Sequence, residues 1–324
     1  WTTPNVSYTP LMVDVVGVGA NSVDHVYRLP GFPKPDSPAA KLRIAHHAIT
    51  PGGQTATALC TCAAMGLSAC YVGATGSDDN GRLVRDELSR RGIDMTHAVV
   101  RDAANAYAVI LIDDTQGERV VLWDRDSRLD LATAEIDAVA IGAARLLHVD
   151  DVDVEASLHA ASIARQAGIP ITSDIETIGD KTDALIEAVT VPIFAEHVLE
   201  PLTGERDFER ALRLLRRRHT GMLCVTLGAR GAMLLVGDRL YQEPAFQTAV
   251  VDTTGAGDVF RGGFIVALLR GDAPGEILRF ANAAAAISCT RLGAINGVPS
   301  MEETEALFRV ARGLQPPRGD ARAG

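Results

Sequence analysis

The sequence has few cysteines and no long apolar run. Its five cysteines lack the paired spacing of a zinc site, so we expect reduced thiols in the core rather than metal or redox groups. No stretch approaches the roughly 20 apolar residues that a membrane-spanning helix needs. Residues 1–10 also lack the basic and apolar regions of a secretory signal. These absences argue against a membrane protein, and we expect a cytosolic location.

Positive charge is also scarce, since 31 lysines and arginines face 41 aspartates and glutamates and leave a formal net charge of −10. Such a chain has no general electrostatic grip on nucleic acid or on an anionic membrane, so we expect neither as a partner. A small polar substrate fits better. The length of 324 residues and the 47% hydrophobic content suit one large α/β domain with a small appendage. We place that domain at 11–315, with tails at 1–10 and 316–324.

One glycine-rich stretch, residues 252–260, joins local backbone geometry to chemistry, and it reads Asp-Thr-Thr-Gly-Ala-Gly-Asp-Val-Phe. A β-compatible run at 248–251 precedes it, and apolar residues at helical spacing follow it as far as Gly271. Gly255 and Gly257 have no Cβ atom, so the backbone can come close to a ligand where this predicted helix starts. The first N–H groups of a helix have no intrahelical acceptor and lie at the positive end of its dipole, so the stretch predicts a phosphate site.

Asp258 is unexpected at such a site because a carboxylate repels an anion. The conflict disappears if Asp258 accepts the proton of a hydroxyl that attacks phosphorus, and a base beside an anion hole indicates phosphoryl transfer. The alternative is structural. In that case the glycines make a tight turn into a helix, and Asp258 only interacts favourably with the helix dipole.

The nine residues resemble the C-terminal motif of the PfkB, or ribokinase-like, family of carbohydrate kinases. They are nearer to its ketohexokinase-like and sulfofructose-kinase-like branch than to ribokinase itself. The resemblance implies a catalytic base at Asp258 and an anion hole formed by the amides of Gly255, Ala256, Gly257 and Asp258 itself. It also implies a ribokinase-like three-layer α/β/α sandwich with a mostly parallel central sheet and a small β-sheet lid. ATP and Mg²⁺ are the implied cofactors.

The acceptor side of the site is predicted near the N-terminus, where an apolar run ends in a turn at 19–24. Open α/β sheets bind ligands at this edge of their strands. A carboxylate at Asp24 can accept hydrogen bonds from two neighbouring sugar hydroxyls, although the spacing alone fits an Asx turn equally well. The resemblance favours sugar binding by Asp24, with Asn21 as a weaker partner.

A pair of glycines at 52–53 opens a predicted helix and, taken alone, only indicates a turn. Beside the later motif it resembles the family's N-terminal motif, which implies sugar contacts from Gly52, Gly53, Gln54 and Thr57. The family more often has asparagine where this chain has Thr57, so ribose is not implied as the acceptor. Farther along, the residues at 80–81 are expected to take a positive φ before a helix at 82–91.

Residues 25–49 and 106–124 lie outside the main alternation of strands and helices. We expect β-structure at 41–49, at 106–113 and, after a turn at 116–117, at 118–124. In the family such segments form a lid over the sugar that is often paired between two subunits, so the resemblance implies a homodimer through the lid sheet. A lid excludes water from the acceptor and so suppresses wasteful ATP hydrolysis.

From residue 143 onward predicted strands and helices alternate, which indicates a parallel sheet with helices on both faces. Asp174 and Glu176 follow one of these strands and are expected at the ligand edge, either near a water-coordinated magnesium ion or as an ordinary loop pair. In the family an Asn-x-x-Glu pattern organises magnesium, but here Ala195 and Val198 stand at those positions, and neither binds a cation. We expect magnesium to be held through water, with Glu196 as the candidate participant.

The nucleotide side is predicted from a Thr-x-Gly-x-x-Gly pattern at Thr226, Gly228 and Gly231, which lies between two predicted strands. Closely approaching glycine backbones suit phosphate and ribose contacts, and a plain hairpin turn is the alternative. The position of the pattern after the βα repeats matches the family's ATP site.

By resemblance, further nucleotide contacts fall on Thr254, on Asn282 near the adenine and on Gly293 in the loop that closes the adenine side. Packing or helix capping is the alternative role of Asn282. In potassium-activated relatives that loop helps the residue equivalent to Asp252 to hold a monovalent cation, and the sequence leaves potassium activation open here.

Together these motifs predict an ATP-dependent sugar kinase that transfers the γ-phosphoryl group to a primary hydroxyl of a small carbohydrate, with a ketose-like acceptor favoured. Two alternatives stay open. One is a nucleoside kinase of the same family, and the other is a catalytically idle sensor of sugar or nucleotide.

Overall fold

The structure is a computed structural model that describes residues 13–36, 38–115 and 119–310. The predicted tails at 1–10 and 316–324 and the predicted turn at 116–117 lie outside these residues. The described chain contains a large central sheet, a small second sheet and helices on both faces of the central sheet.

The described ranges form fourteen strands and eleven α-helices. The strands are β1 (Val13–Val18), β2 (Ser22–Leu29), β3 (His46–Gly52), β4 (Ala69–Val72), β5 (Ala74–Gly76), β6 (Val99–Arg101), β7 (Tyr107–Asp113), β8 (Arg119–Asp124), β9 (Ala144–Val149), β10 (Ile171–Ile175), β11 (Val191–Ala195), β12 (Leu223–Thr226), β13 (Ala232–Val236) and β14 (Arg239–Glu243). The helices are α1 (Gln54–Ala64), α2 (Asp79–Arg90), α3 (Ala138–Gly142), α4 (Val154–Gln166), α5 (Thr182–Ala188), α6 (Glu196–Thr203), α7 (Phe208–Leu215), α8 (Ala256–Arg270), α9 (Pro274–Ser288), α10 (Ala294–Gly297) and α11 (Met301–Phe308). None of these helices is both long and apolar enough to cross a membrane.

The central sheet has eight strands in the order β14-β13-β12-β11-β10-β9-β1-β4. Only β13 runs opposite to the others, so the pairs β12–β13 and β13–β14 are antiparallel and the remaining pairs are parallel. Successive residues of a strand enter different cores. Val15 and Leu146 join the core under α1, α8 and α9, whereas Val16 and Leu147 join the core under α4 and α5. A parallel sheet needs cover on both faces, and the two helix layers supply it, so the predicted three-layer arrangement is present. Four of the five free cysteines are buried in these cores, as predicted.

A second sheet, with strand order β3-β2-β7-β8, forms the small lid sheet. Asp24 belongs to β2, where it is paired with Thr50 on β3 and Ala108 on β7. The predicted turn at 19–24 is therefore wrong for its last three residues, and the lid itself carries this carboxylate. The β-structure expected at 41–49 begins only at His46. The outer strand, β8, is exposed along its whole length.

The helix predicted at 82–91 begins earlier, at Asp79, after the side chain of Asp78 caps it. Asn80 and Gly81 therefore lie inside α2, and the expected positive φ at these residues is wrong. Glycine is needed at 81 for a different reason. A Cβ atom there would lie 1.9 Å from the carbonyl oxygen of Gly76, so the helix could not pack so closely on β5.

The run at 248–251 forms no strand, although its residues are compatible with one. The chain after β14 is extended but pairs with no sheet. It is attached instead to the end of α9, where the N–H groups of Val251 and Asp252 donate to the carbonyl oxygen of Cys289 at 2.8 and 3.2 Å. The β-compatible run before α8 therefore forms no strand, because its end is hydrogen-bonded to α9 rather than to a neighbouring strand. Thr248 and Val250 of this segment line a cavity instead.

Candidate active site

Helix α8 begins within the glycine-rich stretch, and Gly255 is its N-cap in the left-handed region, at φ 74°. A Cβ atom at this position would lie 2.4 Å from the Cβ of Ala294, so both the backbone conformation and the space require glycine. The close approach brings α10 against the start of α8. The predicted glycine-rich turn into a helix is therefore present.

The first amides of α8 are the donors that could bind an anion. Among the described residues, the N–H groups of Gly255, Gly257 and Asp258 donate to no protein acceptor. The N–H group of Ala256 donates to the carbonyl oxygen of Thr253 at 3.2 Å. Three of the four predicted amides at 255–258 are thus free donors, and the fourth, that of Ala256, closes the turn instead.

The carboxylate of Asp258 lies in the first turn of α8, and its side chain retains 12% exposure. Burial raises the pKa of Asp258 well above its usual range, and the charge of Glu176 raises it further. The guanidinium of Arg261 opposes this rise, while Asp24 and Asp150 add to it. A carboxylate with a raised pKa is a stronger proton acceptor, which suits a general base.

Asp24 lies on the lid, is 5% exposed, and is near enough to Asp258 for its charge to raise the pKa of that base. Burial raises the pKa of Asp24 to about 6, and the charge of Asp252 contributes. The hydroxyl of Ser22 donates to Asp24 Oδ1 at 3.1 Å. A Cβ on Gly52 would lie 2.6 Å from Asp24 Oδ2, so this glycine lets β3 approach the carboxylate. The structure therefore brings Asp24 and Gly52 together.

The other predicted sugar contacts are placed less uniformly. Gly53 caps α1 at φ 101°, and its missing Cβ leaves room for the backbone of Asn21. Gln54 is the first residue of α1 and is partly exposed, whereas Thr57 is fully buried and its hydroxyl has no partner among the described residues. The amide nitrogen of Asn21 donates to the Tyr71 hydroxyl at 2.8 Å and to the Ala74 carbonyl at 2.7 Å. Asn21 therefore supports the structure through its amide nitrogen, while its Oδ1 has no partner among the described residues and the predicted sugar contact stays a prediction.

Asp150, at the end of β9, is a site residue that the sequence motifs missed. Its Oδ2 atom accepts from the Ala20 N–H at 2.6 Å and from the Thr55 hydroxyl at 2.7 Å. Burial raises the pKa of Asp150 to about 7. This carboxylate fixes the connection between β1 and β2 against α1. An aspartate directly after a predicted strand was the available signal.

A cavity of about 440 Å³ lies beside the start of α8. Its volume is in the usual range for small-molecule sites. Its wall combines residues of the glycine-rich stretch 252–260, which we call the cradle, with the segment after β14 and with small side chains of α9. These lining residues include Thr253, Ala256, Gly257, Phe246, Thr248, Ala285 and Ala286. Of the three residues with free N–H groups, Gly257 lines this space, so the start of α8 borders a nucleotide-sized cavity.

The predicted nucleotide residues divide into two groups. Thr226, Gly228 and Gly231 line the cavity, and the two glycines lie in the hairpin turn between β12 and β13. The hairpin turn is therefore present, and nucleotide contact by these residues stays a prediction. Asn282 also lines it, but its amide donates to the carbonyl oxygens of Glu243 and Pro244 at 3.0 and 3.2 Å and so holds the wall in place.

Thr254 and Gly293 do not line this cavity. Both bind Asp252 instead. The backbone N–H and hydroxyl of Thr254 donate to Oδ1 at 2.9 and 2.7 Å, and the N–H of Gly293 donates to Oδ2 at 2.9 Å. Asp252 therefore joins the loop before α8 to the loop before α10. Thr254 and Gly293 hold this carboxylate in place, whereas they were predicted to contact the nucleotide.

The lid is connected to the cradle by Arg119, on β8. Its Nη1 atom donates to the hydroxyl of Thr253 at 3.1 Å, and its side chain lines the cavity. This is a contact over 134 positions of sequence, so no local pattern could have indicated it.

The carboxylates near the base do not form an open metal site. Oxygen atoms of Asp174, Glu176 and Asp258 lie within 4.8 Å of one another, a grouping that resembles a cation site. The guanidinium of Arg261 already contacts Asp174 and lies 3.6 Å from Glu176 and 4.0 Å from Asp258. These residues therefore do not fit a directly bound magnesium ion.

The predicted participant Glu196 is not one of this group. It begins α6, and its carboxylate contacts the guanidinium of Arg230. Ala195 caps the same helix, and Val198 is buried in the core. The segment therefore places no free carboxylate beside the cradle.

Comparison with known proteins places the whole of this arrangement in one family. A family model described as pfkB family carbohydrate kinase matches residues 12–301. A ribokinase of Haemophilus influenzae is 28% identical over 295 residues, which cover 89% of this chain and 95% of that protein. Fructokinase-1 of Oryza sativa subsp. japonica is 28% identical over 324 residues, with 92% of this chain and 98% of that protein covered. The crystal structure of a ribokinase from Thermotoga maritima matches with a TM-score of 0.79 at 27% identity, covering 92% of this chain and 100% of that chain, so the predicted fold is confirmed.

The pKa of Asp24 predicts how an Asp24→Asn variant changes stability. The folded pKa of about 6 lies above the ordinary 3.8, so ionising Asp24 costs stability progressively as the pH rises between these values. We expect Asp24→Asn to raise the free energy of unfolding by about 1–3 kcal/mol at pH 7.5 and to have little effect near pH 4. Urea denaturation at the two pH values measures this, with the exposed Asp86→Asn as the matched control. Equal midpoints for Asp24→Asn and wild type at pH 7.5 would contradict the burial argument.

Proposed function

The chain belongs to the pfkB family of carbohydrate kinases, and we propose that it transfers the γ-phosphoryl group of ATP to a primary hydroxyl of a small, ketose-like carbohydrate. One observation carries this proposal. Asp258 lies in the first turn of a helix whose start carries free N–H groups and borders a nucleotide-sized cavity at Gly257. A base, an anion hole and a nucleotide space therefore meet at one helix end.

In the proposed reaction, Asp258 accepts the proton of the attacking hydroxyl while Asp24 orients the acceptor from the lid. The amides of Gly255, Gly257 and Asp258 then stabilise the charge that develops on the phosphoryl oxygens. Such a mechanism relies mainly on positioning and electrostatics, as is usual for phosphoryl transfer. Magnesium arrives with ATP as part of the substrate, and no side chain is assigned to it. Potassium is not included, because both oxygens of Asp252 already accept hydrogen bonds from the protein.

The acceptor is the least constrained part of the proposal. The ribokinase and fructokinase relatives are equally similar, at 28% identity, and do not separate ribose from a ketose. Thr57 in place of the family's usual asparagine favours a ketose. The bond from Arg119 to Thr253 joins the lid to the cradle, so we propose that lid closure and phosphoryl transfer are linked.

A panel of acceptors tests the proposed activity directly. Fructose, sulfofructose, 2-keto-3-deoxygluconate, ribose and adenosine are each incubated with MgATP, and ADP release is followed with a coupled assay. We expect the fastest release with a ketose. Release with adenosine alone would identify a nucleoside kinase instead. Tight ligand binding without ADP from any acceptor would indicate an idle sensor.

Asp258→Asn tests the base. We expect kcat to fall by about 10²–10⁴-fold, because an amide cannot accept the proton. Affinity for a non-hydrolysable ATP analogue, measured by calorimetry, should stay within a few-fold of wild type. Asp86→Asn provides the control for an exposed carboxylate. An Asp258→Asn enzyme that keeps more than about a tenth of wild-type kcat would remove Asp258 from the mechanism.

We also propose a homodimer formed through the lid sheet. All six residues of β8 are exposed, and four of them are large and apolar: Val120, Val121, Leu122 and Trp123, at 41%, 45%, 55% and 76%. β8 is the edge strand, so one side of its backbone lacks a strand partner within the described sheet. An exposed apolar edge strand is normally covered, and a second copy of the same strand fits it in size and character.

Trp123→Glu should weaken this dimer, since a buried unpaired charge opposes association. We expect the molar mass measured by sedimentation to fall from two chains to one at micromolar concentration. Val139→Glu, at a 71% exposed apolar position on α3, is the matched control and should leave the mass unchanged. A wild-type protein of one-chain mass at all concentrations would exclude the lid dimer.

A further inference from the structure

Arg261 lies one turn after Asp258 on α8, and it is fully buried. It is the largest of the fully buried side chains in the described residues. A buried guanidinium without compensation is costly, so its surroundings must supply negative charge. They do so asymmetrically. Asp174, on β10, is also 0% exposed and contacts Nη2, while Glu176 lies 3.6 Å away and Asp258 lies 4.0 Å from Nη1.

The guanidinium also lies against the backbone of the anion hole. A Cβ on Gly257 would lie 2.6 Å from Arg261 Nη1 and 3.7 Å from Glu176 Oε1. The absence of a side chain at 257 therefore lets the cation approach the amides that border the cavity. Positive charge at this depth acts in a low effective dielectric, where its field on the neighbouring carboxylate is weakly screened.

The contacts between the Arg261 guanidinium and the carboxylates are ion pairs that lack hydrogen-bond geometry. None of the three guanidinium nitrogens has a hydrogen bond of good geometry within the described residues, and neither oxygen of Asp174 has one. An arginine used only to stabilise the fold usually forms a two-fold hydrogen-bonded fork with one carboxylate. Here one charge is shared among three carboxylates, which is the arrangement expected around a metal ion.

The surrounding groups leave Arg261 as the cation nearest to the base. Burial and Arg261 lower the pKa of His148 on β9 to about 3, so this neighbour is neutral. Burial raises the pKa of the Cys224 thiol on β12, so it is uncharged as well. The charges that act on Asp258 are Glu176, Asp24 and Asp150, which oppose its ionisation, and Arg261, which favours it.

This chain also lacks the side chains with which the family pattern organises magnesium. Ala195 and Val198 provide no ligand, and Glu196 is paired with Arg230. A cation supplied by the protein would explain how the phosphoryl-transfer centre functions without these magnesium-organising side chains.

We propose that Arg261 is a positioning residue that serves as the resident cation of the phosphoryl-transfer centre, filling the place among Asp174, Glu176 and Asp258 that a metal ion would otherwise take and balancing the charge of the base. This inference rests on the proposed function, because it assigns Arg261 a role at the proposed phosphoryl-transfer site. Its physical content, the effect of Arg261 on the ionisation of Asp258, is measurable without any catalytic assay.

The test follows the titration of Asp258 by NMR in the full chain labelled with ¹³C at aspartate carboxyl groups, with Asp258→Asn used to assign the signal. Arg261→Gln removes the charge, so the titration midpoint should rise by about one pH unit or more. Arg261→Lys keeps the charge and should stay within about half a unit of wild type. Glu176→Gln removes a negative charge that raises the pKa of Asp258, so the midpoint should fall. Like Arg261→Gln it replaces a charged side chain with a neutral amide, but the expected shift has the opposite sign.

Activity provides the second readout. In Arg261→Gln the loss of kcat/KM should be about tenfold larger at pH 6 than at pH 9, because the base is protonated over a wider range. A purely structural role would lower the rate equally at all pH values. If Arg261→Gln does not fold, Arg261→Gln combined with Asp174→Asn removes both members of the buried pair, and its Asp258 midpoint should still rise.

An unchanged or lowered midpoint in folded Arg261→Gln, or in the double variant, would overturn the inference. A wild-type protein that releases no ADP with any acceptor would overturn the proposed function instead. The two failures are distinguishable, because the NMR midpoints do not depend on turnover.

Discussion

The site depends on the burial of several carboxylates at one edge of the central sheet. Asp24, Asp150, Asp174, Asp252 and Asp258 are each at most 9% exposed. Burial removes water from each carboxylate, and their charges repel, so this arrangement is unfavourable without fixed donors and cations. Asp150 and Asp252 are held by N–H and hydroxyl groups, whereas Asp174 and Asp258 share the guanidinium of Arg261. The fold thus keeps proton-accepting groups where a substrate can use them.

The donor and acceptor halves of the site lie on separate parts of the structure. The cradle is the start of a helix packed in the rigid three-layer body, while Asp24 lies on a strand of the small sheet. Gly52 and Arg119, from two other strands of that sheet, approach Asp24 and Thr253 respectively. The small sheet therefore contributes to both halves, and its position determines whether they meet.

Local patterns predicted the parts of the site that depend on a few neighbouring residues. The turn at Gly255 and the helix after it follow from glycine and apolar spacing within one stretch of chain. Asp24 was placed in a turn because its strand is defined by pairing with Ala108, far along the chain. The missing strand at 248–251 likewise depends on tertiary contacts, since Val251 and Asp252 bond to Cys289. Arg261 gave one unused signal, since it is the one cationic residue in the buried run 258–267 of α8.

The contact between Gly257 and Arg261 also bears on how such a chain can change over evolutionary time. A methyl group at 257 would collide with the guanidinium, whose tip would lie 2.6 Å away. A shorter side chain at 261 would remove that obstacle but leave Asp174 buried without its cation. Substitutions at positions 174, 257 and 261 are therefore expected to occur together. Related sequences should either keep all three residues or replace all three.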